Sequence, residues 1–238
     1  MIESIISFVH RLSGIEKISI QNTAIINSQR LRFAIEDCEW LKCKSFIAGG
    51  WAMDNAALCT LFVILNNMKP KNILEFGLGQ SSKMIHQYAE FYNDALALTI
   101  EHDAEWISFF CNGLKRNIKI SIEQHDTILT TYNGFKTLSY KDMQSLCFET
   151  YDFFVIDGPF GGEHYSRSQL IDIAKSISRK QFCILIDDTQ RNGEKETIDE
   201  VRKYFSKKRM TYHIRDYVGE EKQHTIICSE NLKFLTSL

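Results

Sequence analysis

The sequence predicts an α/β protein in which helices cover both faces of a mostly parallel β-sheet. From Lys71 onward, short apolar runs alternate with segments of helical period, and this alternation is typical of parallel sheets. The chain closes with two β-rich runs, 210–215 and 225–229, that have no helix between them. Because a crossover helix is needed to make neighbouring strands parallel, we expect a C-terminal antiparallel hairpin at one edge of the sheet.

A helical N-terminal extension is predicted before the sheet. Apolar residues at a helical period near the N-terminus predict a helix that ends at Gly14, and a second helix is expected within 27–41. Asp54 is expected to cap a strongly apolar third helix over 56–68, which Pro70 stops.

The chain is expected to divide at about residue 70. Residues 1–70 should pack beside the sheet and are a candidate lid over the ligand site, with Trp51 and Met53 as candidate lid residues, although ordinary packing is favoured for both. Residues 71–238 should carry the sheet. The predicted strands are 73–76, 96–101, 118–123, 153–157 and 182–187, and the predicted helices are 83–92, 105–116, 167–178 and 195–205.

The composition excludes several classes of protein. The chain is 44% hydrophobic and 24% charged, which supports a full core, and its net charge of −2 gives no general attraction to nucleic acid or to a membrane surface. The number of cysteines is odd and no Cys-x-x-Cys pair occurs, which indicates reduced, buried thiols. With no signal peptide or membrane span in the pattern, we expect a cytoplasmic protein.

A glycine turn follows the first predicted strand. The run 73–76 leads into Gly77-x-Gly79 and then Ser81, which is placed to cap the next helix. A strand, a glycine turn and a helix N-terminus together build many nucleotide sites, since glycine lets a ligand approach the backbone. The turn lacks the third glycine of the dinucleotide fingerprint and the Gly-Lys-Ser/Thr of a phosphate loop, so by itself it also fits a tight turn without a ligand.

Acidic residues stand at the carboxyl ends of the predicted central strands. They are Glu75, Glu101, Asp126, Asp157 and the pair Asp187-Asp188. In a doubly wound sheet these ends line one crevice, where ligands bind. Clustered carboxylates there predict hydroxyls, amines or a metal as the ligand. Glu101 also follows the glycine turn at the spacing at which nucleotide-binding folds place a carboxylate on the ribose hydroxyls.

Three of these segments together resemble class I S-adenosylmethionine-dependent methyltransferases. They are Glu-Phe-Gly-Leu-Gly-Gln-Ser (75–81), the acid at 101 and Asp-Phe-Phe-Val-Ile-Asp-Gly-Pro (152–159), and the resemblance covers about residues 71–229. It implies a Rossmann-like sheet of seven strands with the last strand inserted antiparallel. It also implies S-adenosyl-L-methionine bound at the turn with Glu101 on the ribose and His125-Asp126 near the adenine. The turn residues so implied are Glu75, Gly77, Gly79 and Ser81.

Two groups of O-methyltransferases compete within that resemblance. The Phe-Gly-Leu-Gly turn, Asp-Gly-Pro followed by glycine (157–161) and Asp-x-x-Arg (188–191) are similar to the glucuronoxylan-type polysaccharide enzymes. Asp157 with Asp187-Asp188-Thr189 and a later Asn-Gly resembles the metal-dependent catechol and caffeoyl-CoA enzymes, although Asp188 stands where that group has Asn. The second resemblance implies Mg²⁺ or Mn²⁺ on Asp157, Asp187 and Asp188, whose oxygens suit such ions.

Methyl transfer to a hydroxyl needs a general base, or a metal that lowers the pKa of the hydroxyl. Asp157 is the first candidate to lie beside the acceptor, and Asp187 and Asp188 are candidates for metal ligands or for a base and its partner. The glycine-rich loop 158–167 is expected to bind the acceptor and carries His164 as a further candidate base, which also fits an exposed loop histidine. Arg167 and Arg191 could bind an acidic group of the acceptor or form salt bridges.

The sequence therefore predicts an S-adenosylmethionine-dependent O-methyltransferase that acts on a hydroxyl of a carbohydrate or related small molecule. The partner expected is a small-molecule or saccharide substrate, not nucleic acid, and the oligomeric state is left open, a homo-oligomer included. A NAD-dependent oxidoreductase also fits a glycine turn with an acid on the second strand, and a non-catalytic cofactor-binding protein stays an alternative.

Overall fold

A seven-stranded β-sheet organises the computed structural model, which describes residues 5–9, 14–113, 121–177 and 181–238. A separate two-stranded hairpin lies beside it. The strands of the two sheets are β1 (Asn72–Phe76), β2 (Leu96–Glu101), β3 (Ile122–Gln124), β4 (Thr127–Tyr132), β5 (Phe135–Tyr140), β6 (Phe153–Ile156), β7 (Cys183–Ile186), β8 (Tyr212–Val218) and β9 (Gln223–Ser229).

The strand order of the large sheet is β3-β2-β1-β6-β7-β9-β8. The pairs from β3 to β7 are all parallel, whereas β9 runs antiparallel to both β7 and β8. The expected Rossmann-like α/β sheet, with its antiparallel C-terminal hairpin, is thereby confirmed. The chain reverses its direction of travel across the sheet between β1 and β6, and this switch point is where open α/β sheets bind ligands.

Helices cover both faces of this sheet, as predicted. Alternate residues of the strands face opposite cores. Leu74, Phe76 and Ile156 pack against helices at 169–176 and 192–207, whereas Ile73 and Val155 pack against helices at 15–35, 55–68 and 80–91. The helices are α1 (Ile15–Ile35), α2 (Asn55–Met68), α3 (Gln80–Phe91), α4 (Ala104–Gly113), α5 (Gln169–Ser176) and α6 (Asn192–Lys207). None of the helices in the described ranges is long and apolar enough to cross a membrane.

The N-terminal extension differs from its prediction in detail. Helix α1 spans Ile15–Ile35 rather than a part of 27–41, and Gly14 precedes it in a left-handed conformation at φ 69°. Residues 5–9 are helical, as predicted, but residues 10–13 lie outside the described residues, so the predicted end of that helix at Gly14 is not tested. Asp54 caps α2 as expected, because its Oδ1 accepts from Ala57 N at 2.8 Å. Met53 is 1% exposed and belongs to the core, so the lid role considered for it is wrong.

The hairpin β4–β5 has no counterpart in the predicted elements. Its strands are joined at Asn133-Gly134, where both residues have positive φ, and Asn-Gly is a strong signal for a two-residue hairpin turn. That signal was available in the sequence, but the flanking residues are mostly half-exposed or exposed and show little apolar alternation. The third strand is predicted at 118–123, whereas β3 spans Ile122–Gln124. Residues 118–120 lie outside the described residues, so only the end of this prediction can be compared with the structure.

The cysteines are free, as expected for a reduced protein, but they are not uniformly buried. Cys183 and Cys228 are buried on the paired strands β7 and β9, whereas Cys111 and Cys147 are exposed. The prediction of buried thiols therefore holds for the strand cysteines and fails for these two.

Candidate active site

The turn after β1 lies against the end of β6. Gly77 has φ 95°, and a Cβ built on it would lie 3.0 Å from the carbonyl carbon of Asp157 and 3.1 Å from Gly158 N. A side chain there would press on that backbone and would be strained at this φ, so backbone geometry favours a glycine without any ligand. Gly79 differs, because a Cβ built on it would meet nothing within 4 Å. Gly79 therefore has room around its backbone, and its role in cofactor binding stays a prediction.

Glu75 stabilises the inside of this turn. Its carboxylate is fully buried and accepts hydrogen bonds from Ser81 Oγ at 2.5 Å and from Thr99 Oγ1 at 2.7 Å. Burial raises the pKa of Glu75 to about 7, although the hydroxyl donors oppose the shift. Glu75 and Ser81, both predicted to bind the cofactor, thus bind one another behind the turn and hold its shape.

Glu101 joins the same turn to the end of β2. Its Oε2 accepts from Leu78 N at 2.9 Å, and its Oε1 accepts from the backbone N–H groups of His102 at 2.6 Å and Asp103 at 3.0 Å. Trp106 of α4 donates from Nε1 to Leu78 O at 2.8 Å and fixes the turn from the other side. The sequence placed Glu101 beside the glycine turn, and the structure brings the two together.

Asp126 lies at the same edge of the sheet. The preceding residue, His125, donates its backbone N–H to Glu101 O at 2.9 Å, so the segment starts beside β2. The Asp126 side chain is exposed, and its backbone carbonyl accepts from Lys141 N at 2.8 Å where the hairpin β4–β5 closes. The carboxylate is therefore available to solvent next to Glu101.

Three aspartates converge after β6 and β7. Asp157, Asp187 and Asp188 each offer a carboxylate oxygen within 4.8 Å of the others, and we call them the aspartate cluster. The sequence predicted this convergence because the carboxyl ends of parallel strands meet at one edge. The side chain of Asp157 is 15% exposed, whereas that of Asp188 is 4% exposed and that of Asp187 is fully buried. Asp157 is thus the member that a ligand can reach.

Two buried cations lie within the aspartate cluster. Arg167 Nη2 is 3.2 Å from Asp157 Oδ1 and 2.9 Å from Asp188 Oδ2. Lys222 Nζ is 3.3 Å from Asp187 Oδ2 and 3.5 Å from Asp188 Oδ1. At the rim, Arg191 Nη1 adds a contact of 3.1 Å to Asp188 Oδ2. Arg167 and Arg191 were each predicted either to bind an acidic group of the acceptor or to form salt bridges, and both form salt bridges.

The surroundings give the three aspartates different proton affinities. Burial, and then the charge of Asp187, raise the pKa of Asp157 well above its ordinary value. Burial raises the pKa of Asp187 to about 6 against the opposing charge of Lys222. Burial also opposes ionisation of Asp188, but the charges of Arg167, Lys222 and Arg191 outweigh it and hold that pKa below its ordinary value. Asp157 is therefore accessible to a ligand and is also a stronger base than an ordinary aspartate.

As arranged here, the aspartate cluster does not fit a divalent metal. Its oxygens are the donors that Mg²⁺ or Mn²⁺ would prefer, and Asp187 Oδ1 has no hydrogen-bond partner among the described residues. However, a guanidinium nitrogen bridges Asp157 and Asp188, and an ammonium bridges Asp187 and Asp188. A divalent ion would have to displace or repel both cations.

His164 is held away from these carboxylates by other contacts. Its Nδ1 lies 3.0 and 3.1 Å from the two carboxylate oxygens of Glu196 on α6, and its ring packs on Phe135 with 4.1 Å between centroids. Among the described residues, none of its hydrogen bonds or ion pairs involves the aspartate cluster. Its proposed role as a base stays a prediction without geometric support.

Part of the N-terminal extension lies over the site. Ile47 N donates to Gln80 Oε1 at 3.1 Å, at the start of α3, and Ala52 O accepts from Lys222 Nζ at 3.0 Å. Between these anchors, the 83% exposed Trp51 packs on the 56% exposed Phe160 of the loop 158–167, with 5.1 Å between ring centroids. An exposed aromatic pair therefore stands near both the glycine turn and the aspartate cluster.

Comparison with known proteins gives structural likeness at low identity. No protein-family model and no curated protein matches the chain. A candidate caffeoyl-CoA O-methyltransferase from Staphylococcus aureus is 16% identical over 95% of this chain and 98% of that one, with a TM-score of 0.49. An O-methyltransferase from Bacillus cereus in complex with SAH is 14% identical over 84% and 90%, with a TM-score of 0.48. A precorrin-6y C5,15-methyltransferase from Geobacter metallireducens is 14% identical over 83% and 97%, with a TM-score of 0.49.

Proposed function

We propose that the protein is an S-adenosylmethionine-dependent O-methyltransferase that acts on a hydroxyl of a small molecule. The observation that carries the proposal is the contact between the β1 turn and the aspartate cluster. A Cβ on Gly77 would lie 3.0 Å from the carbonyl carbon of Asp157, so the cofactor turn and the accessible carboxylate adjoin. Methyl transfer to oxygen requires this proximity of a methyl donor and a base.

The cofactor side of the proposal uses the turn and Glu101. The open space at Gly79 leaves room for the ligand to approach the backbone. Glu101 Oε1 contacts the backbone N–H groups of His102 and Asp103 and also His102 Nδ1 at 2.6 Å. Its Oε2 accepts from Leu78 N, and since each carboxylate oxygen offers about two lone-pair sites, a ribose hydroxyl can still donate to Oε2. Asp126, exposed beside Glu101, is assigned to the adenine end. S-adenosylmethionine, when bound, supplies an electrophilic methyl group on a sulfonium.

Asp157 is assigned as the general base. It accepts the proton of the acceptor hydroxyl as the oxygen–methyl bond forms and the methyl–sulfur bond breaks, with the electron pair left on sulfur. Its raised pKa makes it a stronger base than an ordinary carboxylate. Arg167, whose Nη2 is 3.2 Å from Asp157 Oδ1, acts as a positioning residue that fixes the direction of the carboxylate.

The acceptor side supports a carbohydrate or a related small hydroxyl compound. The carboxylate of Asp157, whose side chain is 15% exposed, is an acceptor that suits a hydroxyl donor. The exposed rings of Trp51 and Phe160, tilted by 40° to each other, offer aromatic faces on which a sugar or another ring can pack. We assign the segment 43–52, anchored at Gln80 and Lys222, as the lid over this pocket.

Calorimetry with the purified protein tests the cofactor first. We expect S-adenosylhomocysteine to bind at one site per chain and NAD not to bind. Binding of NAD alone would overturn the proposal in favour of an oxidoreductase. If S-adenosylhomocysteine binds but no methyl group passes to any member of a panel of sugars and phenols, the protein binds the cofactor without this activity.

A further inference from the structure

We infer that the aspartate cluster works without a divalent metal because two cations of the chain itself, Arg167 and Lys222, take the place of one. This inference concerns the occupancy of the cluster and stands apart from the methyl transfer proposed above. Only the assignment of Asp157 as the base rests on that function.

The first step of the inference is the placement of Arg167. Its side chain is 3% exposed, and Nη1 donates to the carbonyl oxygens of Ile156 at 3.2 Å and Asp187 at 2.6 Å. These carbonyls belong to the ends of β6 and β7, the two strands from which the aspartates project. The sheet itself therefore directs the guanidinium between the carboxylates, and Nη2 contacts both Asp157 and Asp188.

The backbone conformation of Arg167 also indicates that its position is imposed by the surrounding structure. It has φ 57°, in the left-handed region, which is unfavourable for a residue other than glycine. Such strain persists where the surrounding structure determines it, often at functional sites. Here the strained backbone coincides with a side chain that makes four hydrogen bonds in the cluster.

The second cation reaches the cluster from a distant part of the chain. Lys222 lies between β8 and β9, and its side chain is 10% exposed. An ammonium group has three donors, and Lys222 Nζ has three oxygen neighbours: Ala52 O at 3.0 Å, Asp187 Oδ2 at 3.3 Å and Asp188 Oδ1 at 3.5 Å. The contacts to Ala52 O and Asp187 Oδ2 are hydrogen bonds, and the contact to Asp188 Oδ1 is an ion pair. The ammonium group is therefore held inside the protein beside two of the three aspartates.

The charges of the cluster nearly cancel without an added ion. Four carboxylates contact the cations, namely those of Asp157, Asp187, Asp188 and Glu194. Three cations face them, namely Arg167, Lys222 and Arg191. If all are ionised, the net charge of the cluster is −1, and a divalent ion added to it would change that charge to +1. The ion therefore brings no gain in neutralisation, and the buried cations next to the same carboxylate oxygens would repel it.

Titration of the full-length, EDTA-treated protein with MnCl₂ tests this inference, with calorimetry and thermal unfolding as readouts. We expect no saturable Mn²⁺ binding at the cluster and no rise in Tm with Mn²⁺ or Mg²⁺. Stoichiometric Mn²⁺ binding that Asp188→Ala abolishes would overturn the inference. Mn²⁺ binding that Asp188→Ala leaves unchanged lies elsewhere and supports it. Binding of S-adenosylhomocysteine is measured separately, so failure of the proposed function is recognised independently.

A matched pair of variants tests whether the ammonium excludes the ion. Lys222→Met removes one cation from the cluster, and Lys203→Met removes an exposed lysine that pairs with Glu200 on α6. We expect Lys222→Met to bind Mn²⁺ at least tenfold more tightly than wild type, and Lys203→Met to match wild type. A Lys222→Met protein that keeps its circular dichroism but gains no Mn²⁺ affinity contradicts the exclusion. If this variant does not fold, the wild-type titration still decides the question.

Discussion

The β1 turn and the aspartate cluster both gather buried carboxylates at one edge of the sheet, but they stabilise them in different ways. Glu75 behind the turn is bound by the hydroxyls of Ser81 and Thr99, and burial raises its pKa to about 7. Asp188 in the cluster contacts three cations, which hold its pKa below its ordinary value despite burial. One region tolerates a carboxyl group by favouring its neutral form, and the other by surrounding it with positive charge.

This difference suits two different tasks. In the proposed function the turn receives a cationic sulfonium, which gains from nearby carboxyl groups and needs no further cation. A site that must take a proton from a hydroxyl needs a carboxylate of fixed direction, which Arg167 gives to Asp157. We therefore expect changes in the aspartate cluster to affect turnover, and changes at the turn to affect folding and cofactor affinity.

The largest effect is expected from Asp157→Asn. The amide cannot take the proton of the hydroxyl, so we expect kcat to fall by about 10²–10⁴-fold, while the Kd for S-adenosylhomocysteine stays within about threefold, less than 1 kcal/mol. Steady-state kinetics and calorimetry measure the two quantities. Asp199→Asn, an exposed position on α6, is the control and should match wild type. Unchanged turnover in Asp157→Asn would show that Asp157 is not the general base.

The next effect is the pH dependence of stability through Glu75. Folding raises its pKa from 4.5 to about 7, so the folded protein keeps a proton that the unfolded chain releases between these values. The contribution of Glu75 is thus most favourable below pH 4.5 and is lost as the pH rises to about 7. The change is on the order of 3 kcal/mol.

Urea unfolding at several pH values measures this contribution as the difference between wild type and Glu75→Gln. The Gln variant should lack that part of the slope, while Glu105→Gln, at an exposed position on α4, should keep it. Identical pH profiles for wild type and Glu75→Gln would show that the hydroxyl donors, not burial, control Glu75.

The same contrast separates what the sequence could predict from what it could not. The β1 turn is coded locally: an apolar strand, two glycines and a helix follow one another, so its position and its contact with Glu101 were predictable. The three aspartates were also predictable, because the ends of parallel strands must meet at one edge. These are consequences of backbone geometry that a single sequence already contains.

The cations were harder to place because their contacts depend on tertiary packing. Lys222 lies in a turn far along the chain from Ala52 and Asp187, to which it binds, and nothing near it in the sequence indicates this. Arg167 was read as a ligand for an acidic acceptor or as a salt bridge, and only the packed strands decide. His164 looked reactive by residue type, yet its partner Glu196 comes from α6.

The smallest effect is expected at Glu101, where the turn and the cofactor share one carboxylate. Glu101→Gln should weaken S-adenosylhomocysteine binding about tenfold, or roughly 1.4 kcal/mol, because an amide accepts at one atom only. The loss could also arise from the turn, since Leu78 N donates to the same side chain. A 2′-deoxy analogue of S-adenosylhomocysteine separates the two causes. If Glu101 binds the ribose hydroxyl, the variant and the analogue each lose affinity but their combination loses little more. Additive losses would place Glu101 in the turn alone, and the ribose would then need another partner.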